Sequence, residues 1–264
     1  MQRIVTAVIG LAIIILSLLV SVLWDLAVCI AFMIVAKEVG MILKKIGLKV
    51  SPFFMMLTVP CYILPAVFLP FHTTLAIGTT ATLLLYLIAI SGLETGFSAQ
   101  LLLGFVVAAI YPAVLATFLV EMRFQNTSLL IFMMAIVFIG DAAALYTGRY
   151  LTKRGKAHKI PRKLGELTSP NKTFEGFGAG LVVAGVIMPI ICYKIGLINF
   201  SPGKVILIAL AFSISGMLGD LFESFLKRKA GVKDSGTILP GHGGMLDRFD
   251  ALLFAAVIGW ILLV

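Results

Sequence analysis

Lys204–Lys229 reads KVILIALAFSISGMLGDLFESFLKRK. Residues 204–225 supply the roughly 20 mainly apolar residues that a helix needs to cross a bilayer. Along this run Ser213, Gly216, Asp220, Glu223, Ser224 and Lys227 follow one another at spacings of 3, 4, 3, 1 and 3. That pattern puts them on one helical face. Leu218, Leu221, Phe222, Phe225 and Leu226 lie mostly on the rest of the helix. Carboxylates and a lysine on so apolar a helix are costly in lipid unless they face a partner or a cavity. An inter-helix salt bridge is one reading of the stripe, and a water-filled pocket is the other.

Composition carries the same message to the whole chain. Of 264 residues, 61% are hydrophobic and 12% charged, and mean hydropathy is +1.12. Soluble domains are nearer half apolar and a quarter charged. So few charges cannot cover a folded surface in water, which excludes a soluble enzyme, a disordered chain and a disulfide-rich secreted protein. Nine stretches qualify as spans: 4–22, 24–43, 52–69, 73–91, 98–120, 128–148, 175–197, 204–225 and 249–264. The expected fold is therefore all-α, a polytopic membrane protein of about nine transmembrane helices. Leu69-Pro70-Phe71-His72 leaves room only for a tight hairpin between the third and fourth. The stretch Ile4–Leu23 after Arg3 is longer than a signal-peptide core and ends in no small-x-small site, so it reads as the first span. Cys29, Cys61 and Cys192 are far apart in apolar runs and read as buried hydrophobes.

Charge gives sidedness. The balance is 21 basic against 12 acidic residues, or +9. With a cytoplasmic N-terminus, only Arg123, Lys194 and Lys204 fall in outer connections, which leaves 18 of the 21 basic residues inside. This is the positive-inside bias expected of nine spans. No basic face with stacking aromatics stands apart from the loops, so nucleic acid is not indicated. The excess suits an anionic partner such as a lipid headgroup or a nucleotide.

Two regions differ in character. Residues 1–125 form an N-terminal bundle with short connections, and 126–264 form the expected catalytic region, with long charged cytoplasmic loops at 149–174 and 226–248. In the first region Glu38 lies beside Lys37 near the inner end of the second span. Either both side chains snorkel to the interface or Glu38 has a partner. In the second, Asp141 follows Gly140 about two turns before Arg149; an ion pair with Arg149 or another loop base is one reading, and small neighbours suggest close packing or a polar cavity as the other.

The second long loop is the densest segment. Gly241, Gly243 and Gly244 permit close backbone approach to a ligand, and backbone N–H groups in such a loop can cradle phosphate. Asp247 and Asp250, at i and i+3, can join Asp220 in offering oxygens to Mg²⁺. His242 is a candidate acid/base or phosphate donor, or a loop histidine that bonds only the backbone. Ser169-Pro170-Asn171-Lys172-Thr173-Phe174-Glu175-Gly176 closes the first loop. Lys172 and Thr173 there open a helix whose N-terminus favours anions. Ser169 or Thr173 can equally be a helix cap.

Ser224-Phe225-Leu226-Lys227-Arg228, Lys233-Asp234 and Leu239-Pro240-Gly241-His242-Gly243-Gly244-Met245-Leu246-Asp247-Arg248-Phe249-Asp250 together resemble the signature of the phosphatidate cytidylyltransferases, the CDP-diacylglycerol synthases. The 169–176 run looks like a second motif of that family, and Asp141 through Arg149 is similar to a third. Ala142, Leu145 and Thr152 depart from the family's usual Ser, Tyr and Gly, so Asp141 carries the third motif. Glu38 resembles a family glutamate.

The resemblance implies that CTP and phosphatidic acid from the bilayer give CDP-diacylglycerol and pyrophosphate. It implies that Asp220 and Asp247 bind Mg²⁺, with a second cation such as K⁺ beside it, and that Glu223 and Asp250 support them. Asp220, Asp247, Lys227 and His242 would be the catalytic set. Lys172, Ser169, Thr173, Ser224, Arg228, Lys233, Asp234, Gly241, Gly243, Gly244, Arg248 and Asp141 would bind substrate. It also implies a homodimer in a bacterial inner membrane with its site facing the cytoplasm. The alternatives are a related CTP-dependent lipid enzyme with another acceptor, and an ion-coupled transporter using Asp141 and Asp220. Charges gathered on one face and the lack of an internal repeat weigh against the transporter.

Overall fold

The computed structural model describes residues 2–92, 99–154, 163–165, 169–239 and 243–263. The helices are α1 (Gln2–Leu19), α2 (Ser21–Lys45), α3 (Pro52–Ala66), α4 (Phe71–Gly92), α5 (Ala99–Ala108), α6 (Leu115–Gln125), α7 (Thr127–Arg154), α8 (Phe174–Val182), α9 (Met188–Lys194), α10 (Pro202–Lys229) and α11 (Leu246–Ile261). Among the described residues, six helical segments are long and apolar enough to cross a membrane: Ser21–Lys45, Phe71–Ala89, Leu102–Gln125, Thr127–Leu151, Phe174–Lys194 and Pro202–Lys229. Pro52–Ala66 is a shorter apolar helix. These are the helices of an integral membrane protein.

The all-helical expectation holds except for one small hairpin. β1 (Lys163–Gly165) pairs antiparallel with β2 (Ser169–Thr173), with Lys163 opposite Thr173 and Gly165 opposite Ser169. Both long loops are also shorter than expected. α7 runs on to Arg154, through Gly148, and α10 to Lys229, because the polar residues that follow each apolar stretch continue the helix. Gly231, at φ +68, lies just beyond α10, where a left-handed residue commonly ends a helix.

The chain divides into two compact units, residues 1–125 with 229–249, and residues 126–228 with 250–264. In the first unit α2 is the central helix, with Phe32, Val35, Ala36 and Val39 fully buried. Lipid supplies no hydrophobic drive between helices, so close packing of small residues must do the work. A Cβ on Gly40 would come within 2.8 Å of Pro52 Cα, and one on Gly78 would overlap the Tyr62 ring. These positions bring α2 onto α3 and α3 onto α4. Trp24 Nε1–H donates to Leu119 O at 3.3 Å, and Arg123 Nη2 to Leu18 O at 3.0 Å.

A wide π-turn, Ala109–Val114, joins α5 to α6 around Pro112. Proline has no N–H for the carbonyl one turn back, and the wider turn absorbs that loss. The same device, Val183–Ile187, precedes Pro189 between α8 and α9.

In the second unit α7 is capped by Asn126, whose Oδ1 accepts from Leu129 N–H at 2.9 Å. α7 and α8 meet along a seam of small residues. A Cβ on Gly180 would lie 2.9 Å from Gly140 O, and one on Gly176 would lie 2.7 Å from Ala144 O. Phe132 of α7 packs edge-on against Phe212 of α10, with ring centroids 6.2 Å apart. Cys192 is buried and Cys29 and Cys61 are partly so, and all three are free thiols.

Candidate active site

The polar stripe on α10 lies within the second unit. Glu223 is 1% exposed, and Ser224 is buried beside it. Lys227 Nζ lies 2.6 Å from Glu223 Oε2, one turn apart on the same helix. Asp250, 7% exposed, comes to this face from α11. Its Oδ1 accepts from the Ala251 N–H at 2.8 Å. One carboxylate oxygen from each of Asp220, Glu223 and Asp250 lies within 4.8 Å of the others.

The approach of α11 to α10 requires glycine at 219, because a Cβ there would run into the Asp250 carbonyl. Phe222 and Phe254 pack beside the cluster with centroids 5.7 Å apart. The three carboxylates offer only oxygen donors, and the Lys227 ammonium lies against one of them. An all-oxygen donor set of carboxylates suits a hard divalent cation. The residues present therefore fit a metal ion.

Further along α10, Ser213 and Gly216 line a cavity of about 10 Å³ together with Gly140 and Asp141 of α7. That is about the space of one water molecule. Asp141 is an exposed residue.

In the first unit the loop between α10 and α11 is organised around two other carboxylates. Glu38 of α2 is 1% exposed. Its Oε2 accepts from Ser235 Oγ at 2.8 Å and from Leu246 N–H at 2.8 Å, and its Oε1 accepts from Met245 N–H at 3.0 Å. Asp247 Oδ2 accepts from Ser235 N–H at 3.0 Å and Gly244 N–H at 2.8 Å, and lies 3.1 Å from Ser235 Oγ. Leu239 N–H donates to Gly243 O at 3.0 Å, which pinches the loop. Gly243 sits at φ +85, in the left-handed region that L side chains avoid. Phe249 packs on Phe32 at 5.2 Å.

These contacts give several of the residues singled out in the sequence their partners. The amide of Gly244 holds Asp247, and the amides of Met245 and Leu246 hold Glu38. Glu38 does not snorkel. The sequence signal for it was a carboxylate inside an apolar helix, but its partners lie about 200 residues later, beyond the reach of any periodicity. Ser235 was passed over for the same reason. Thr173 Oγ1 accepts from Gly176 N–H at 3.0 Å and caps α8. Arg228, Lys233, Asp234 and Arg248 are exposed. Gly241 and His242 lie outside the described residues, as do the side chains of Ser169 and Lys172.

Residues 1–264 match the model of the cytidylyltransferase family. The chain belongs to that family. Among its relatives, a Staphylococcus saprophyticus protein named phosphatidate cytidylyltransferase is 40% identical over 147 residues, 56% of this chain and 53% of that one. A Bacillus subtilis protein of the same name is 39% identical over 155 residues, 57% and 54% of the two chains. A Helicobacter pylori one is 42% identical over 130 residues, 48% and 44%. The chain thus spans about half the length of the relatives it matches.

Proposed function

We propose that this protein is a CTP:phosphatidate cytidylyltransferase that makes CDP-diacylglycerol and pyrophosphate. The observation that carries the reading is the Asp220, Glu223 and Asp250 cluster with the Lys227 ammonium bonded to it, in a member of the cytidylyltransferase family. The names borne by its relatives support phosphatidic acid as acceptor.

In this reading an oxygen of the lipid phosphate attacks the α-phosphorus of CTP. The bond from that phosphorus to its bridging oxygen breaks, and pyrophosphate leaves with the electron pair. The protein contributes position and charge rather than covalent chemistry. Asp220 and Asp247 would hold a divalent ion such as Mg²⁺, and Glu223 and Asp250 would support them. When bound, the ion neutralises triphosphate charge and steadies the leaving group.

Lys227 keeps its ammonium at the edge of the cluster, where a phosphate can compete with Glu223 for it. Arg228, Lys233, Arg248 and Lys172 attract the phosphates of both substrates, and Ser169, Ser224, Asp234 and Asp141 orient them. The Thr173 cap sets the start of α8, so Lys172 stands at a helix N-terminus that favours anions. His242, between glycines, donates to a phosphate oxygen. The protein crosses a bacterial inner membrane nine times with its N-terminus in the cytoplasm. The site faces the cytoplasm, and the protein acts as a homodimer.

The test is product formation from labelled CTP in membranes that carry the protein, with and without phosphatidic acid and with and without Mg²⁺. CDP-diacylglycerol should appear only when both are present. Product with a polyprenyl or ether-lipid phosphate but none with phosphatidic acid would overturn the acceptor assignment.

A further inference from the structure

The reaction scheme above gives Glu38 no part, yet it is among the most completely bonded carboxylates described. It is 1% exposed on an apolar helix. A charge buried there is tolerated only when hydrogen bonds replace its water. The replacement comes from Ser235 Oγ and the amides of Met245 and Leu246. The two amides stand at the start of α11, where orphan N–H groups and the helix dipole favour a negative group.

We infer that Glu38 is a positioning residue: it anchors the loop before α11 and, through Ser235 and the first turn of α11, holds Asp247 in its working orientation. The inference rests on the cytidylyltransferase reading for the role of Asp247. Ser235 links the two carboxylates, with Oγ 2.8 Å from Glu38 Oε2 and 3.1 Å from Asp247 Oδ2. One hydroxyl proton serves one acceptor at a time. The Ser235 and Gly244 amides therefore keep Asp247 Oδ2 in place whenever the hydroxyl turns to Glu38.

The glycines of the loop agree with this arrangement. A Cβ on Gly236 or Gly244 would enter the space of the Glu38 carboxylate. Loop and carboxylate are thus fitted to each other rather than merely adjacent.

Glu38→Gln keeps the shape but places an NH₂ where donors already point. The first measurement is amide hydrogen exchange on the whole, metal-free protein in detergent. Exchange across 243–247 should speed up about 10-fold, the loss of roughly one hydrogen bond, with α2 and α10 unchanged. Glu38→Asp, shorter but charged, should fall between the variant and the parent. The second is the Mg²⁺ concentration for half-maximal CTP turnover, which should rise about 10-fold, as for other groups that orient metal ligands. The KM for phosphatidic acid should stay within about twofold.

Unchanged exchange in the loop would overturn the anchor. Faster exchange with an unmoved Mg²⁺ requirement would overturn its link to Asp247. Should Glu38→Gln fail to fold, Ser235→Ala carries the same two measurements, with smaller shifts of the same sign expected and unchanged loop exchange decisive against. A parent protein that makes no CDP-lipid would sink the functional reading alone, because the exchange arm still decides the anchor.

Discussion

Lys227 Nζ stands 2.6 Å from Glu223 Oε2 across one turn of α10, with the two side chains 12% and 1% exposed. The pair is largely buried, so removing one partner breaks an ion pair that is shielded from water. Such a loss typically costs about 3–5 kcal/mol. Glu223→Gln should therefore lower the melting temperature in detergent. A double variant, Glu223→Gln with Lys227→Met, should recover much of that stability but no activity. Recovery of turnover in the double variant would remove Lys227 from the reaction.

The carboxylate cluster makes a sharper demand on chemistry than on folding. Asp220→Asn and Asp250→Asn keep volume and lose charge, and each should lower kcat at least ~100-fold, the scale of losing a group aimed at developing charge. Asp247→Asn should do the same. Chelation with EDTA should stop CTP turnover by the parent protein, and added Mg²⁺ should restore it. Near-parental rates in Asp220→Asn would refute the metal assignment.

Glycine positions test the packing directly. A Cβ on Gly219 would meet the Asp250 carbonyl, whereas one on Gly178 would meet nothing within 4 Å. Gly219→Ala should push α11 away from α10 and reduce turnover by an order of magnitude or more, as a misplacement of about 1 Å at a site can. Gly178→Ala, inside α8, should raise stability by about 1 kcal/mol through helix propensity alone. Thermal melts and CTP assays on the two variants separate these outcomes.

The Thr173 cap is a local term with a local test. Its Oγ1 accepts from Gly176 N–H at 3.0 Å. Thr173→Ala should cost about 1 kcal/mol, and Thr173→Ser should restore it. A Thr173→Ser variant as unstable as Thr173→Ala would show that the methyl packing, not the cap, matters.

Sidedness can be read by single-cysteine labelling in a cysteine-free background. A cysteine at Lys45 should react only after the membrane is opened, and one at Lys194 should react from outside. The reverse pattern would overturn the proposed orientation.

The helices were legible in the sequence because lipid imposes one rule everywhere: about 20 apolar residues with every backbone group bonded internally. The stripe Asp220, Glu223, Lys227 was legible for a related reason, since helical spacing is local and three or four residues predict one face. Helix ends were less so. α7 and α10 extend past their apolar stretches into Arg149–Arg154 and Lys227–Lys229, where polar residues form helix as readily as apolar ones. The β1–β2 hairpin was not expected, because its basic, polar strands show no alternation.

Composition, the positions of the charges and the spacing along α10 were enough, by themselves, to make this an apolar helical protein with a polar working face. Periodicity cannot join residues from different helices. Only the tertiary structure brought Asp250 to Asp220 and Glu223, and only it closed the loop before α11 on Glu38. Those two meetings depend on where helices cross. The crossings are set by contacts such as Gly219 against the Asp250 carbonyl, which no local pattern encodes.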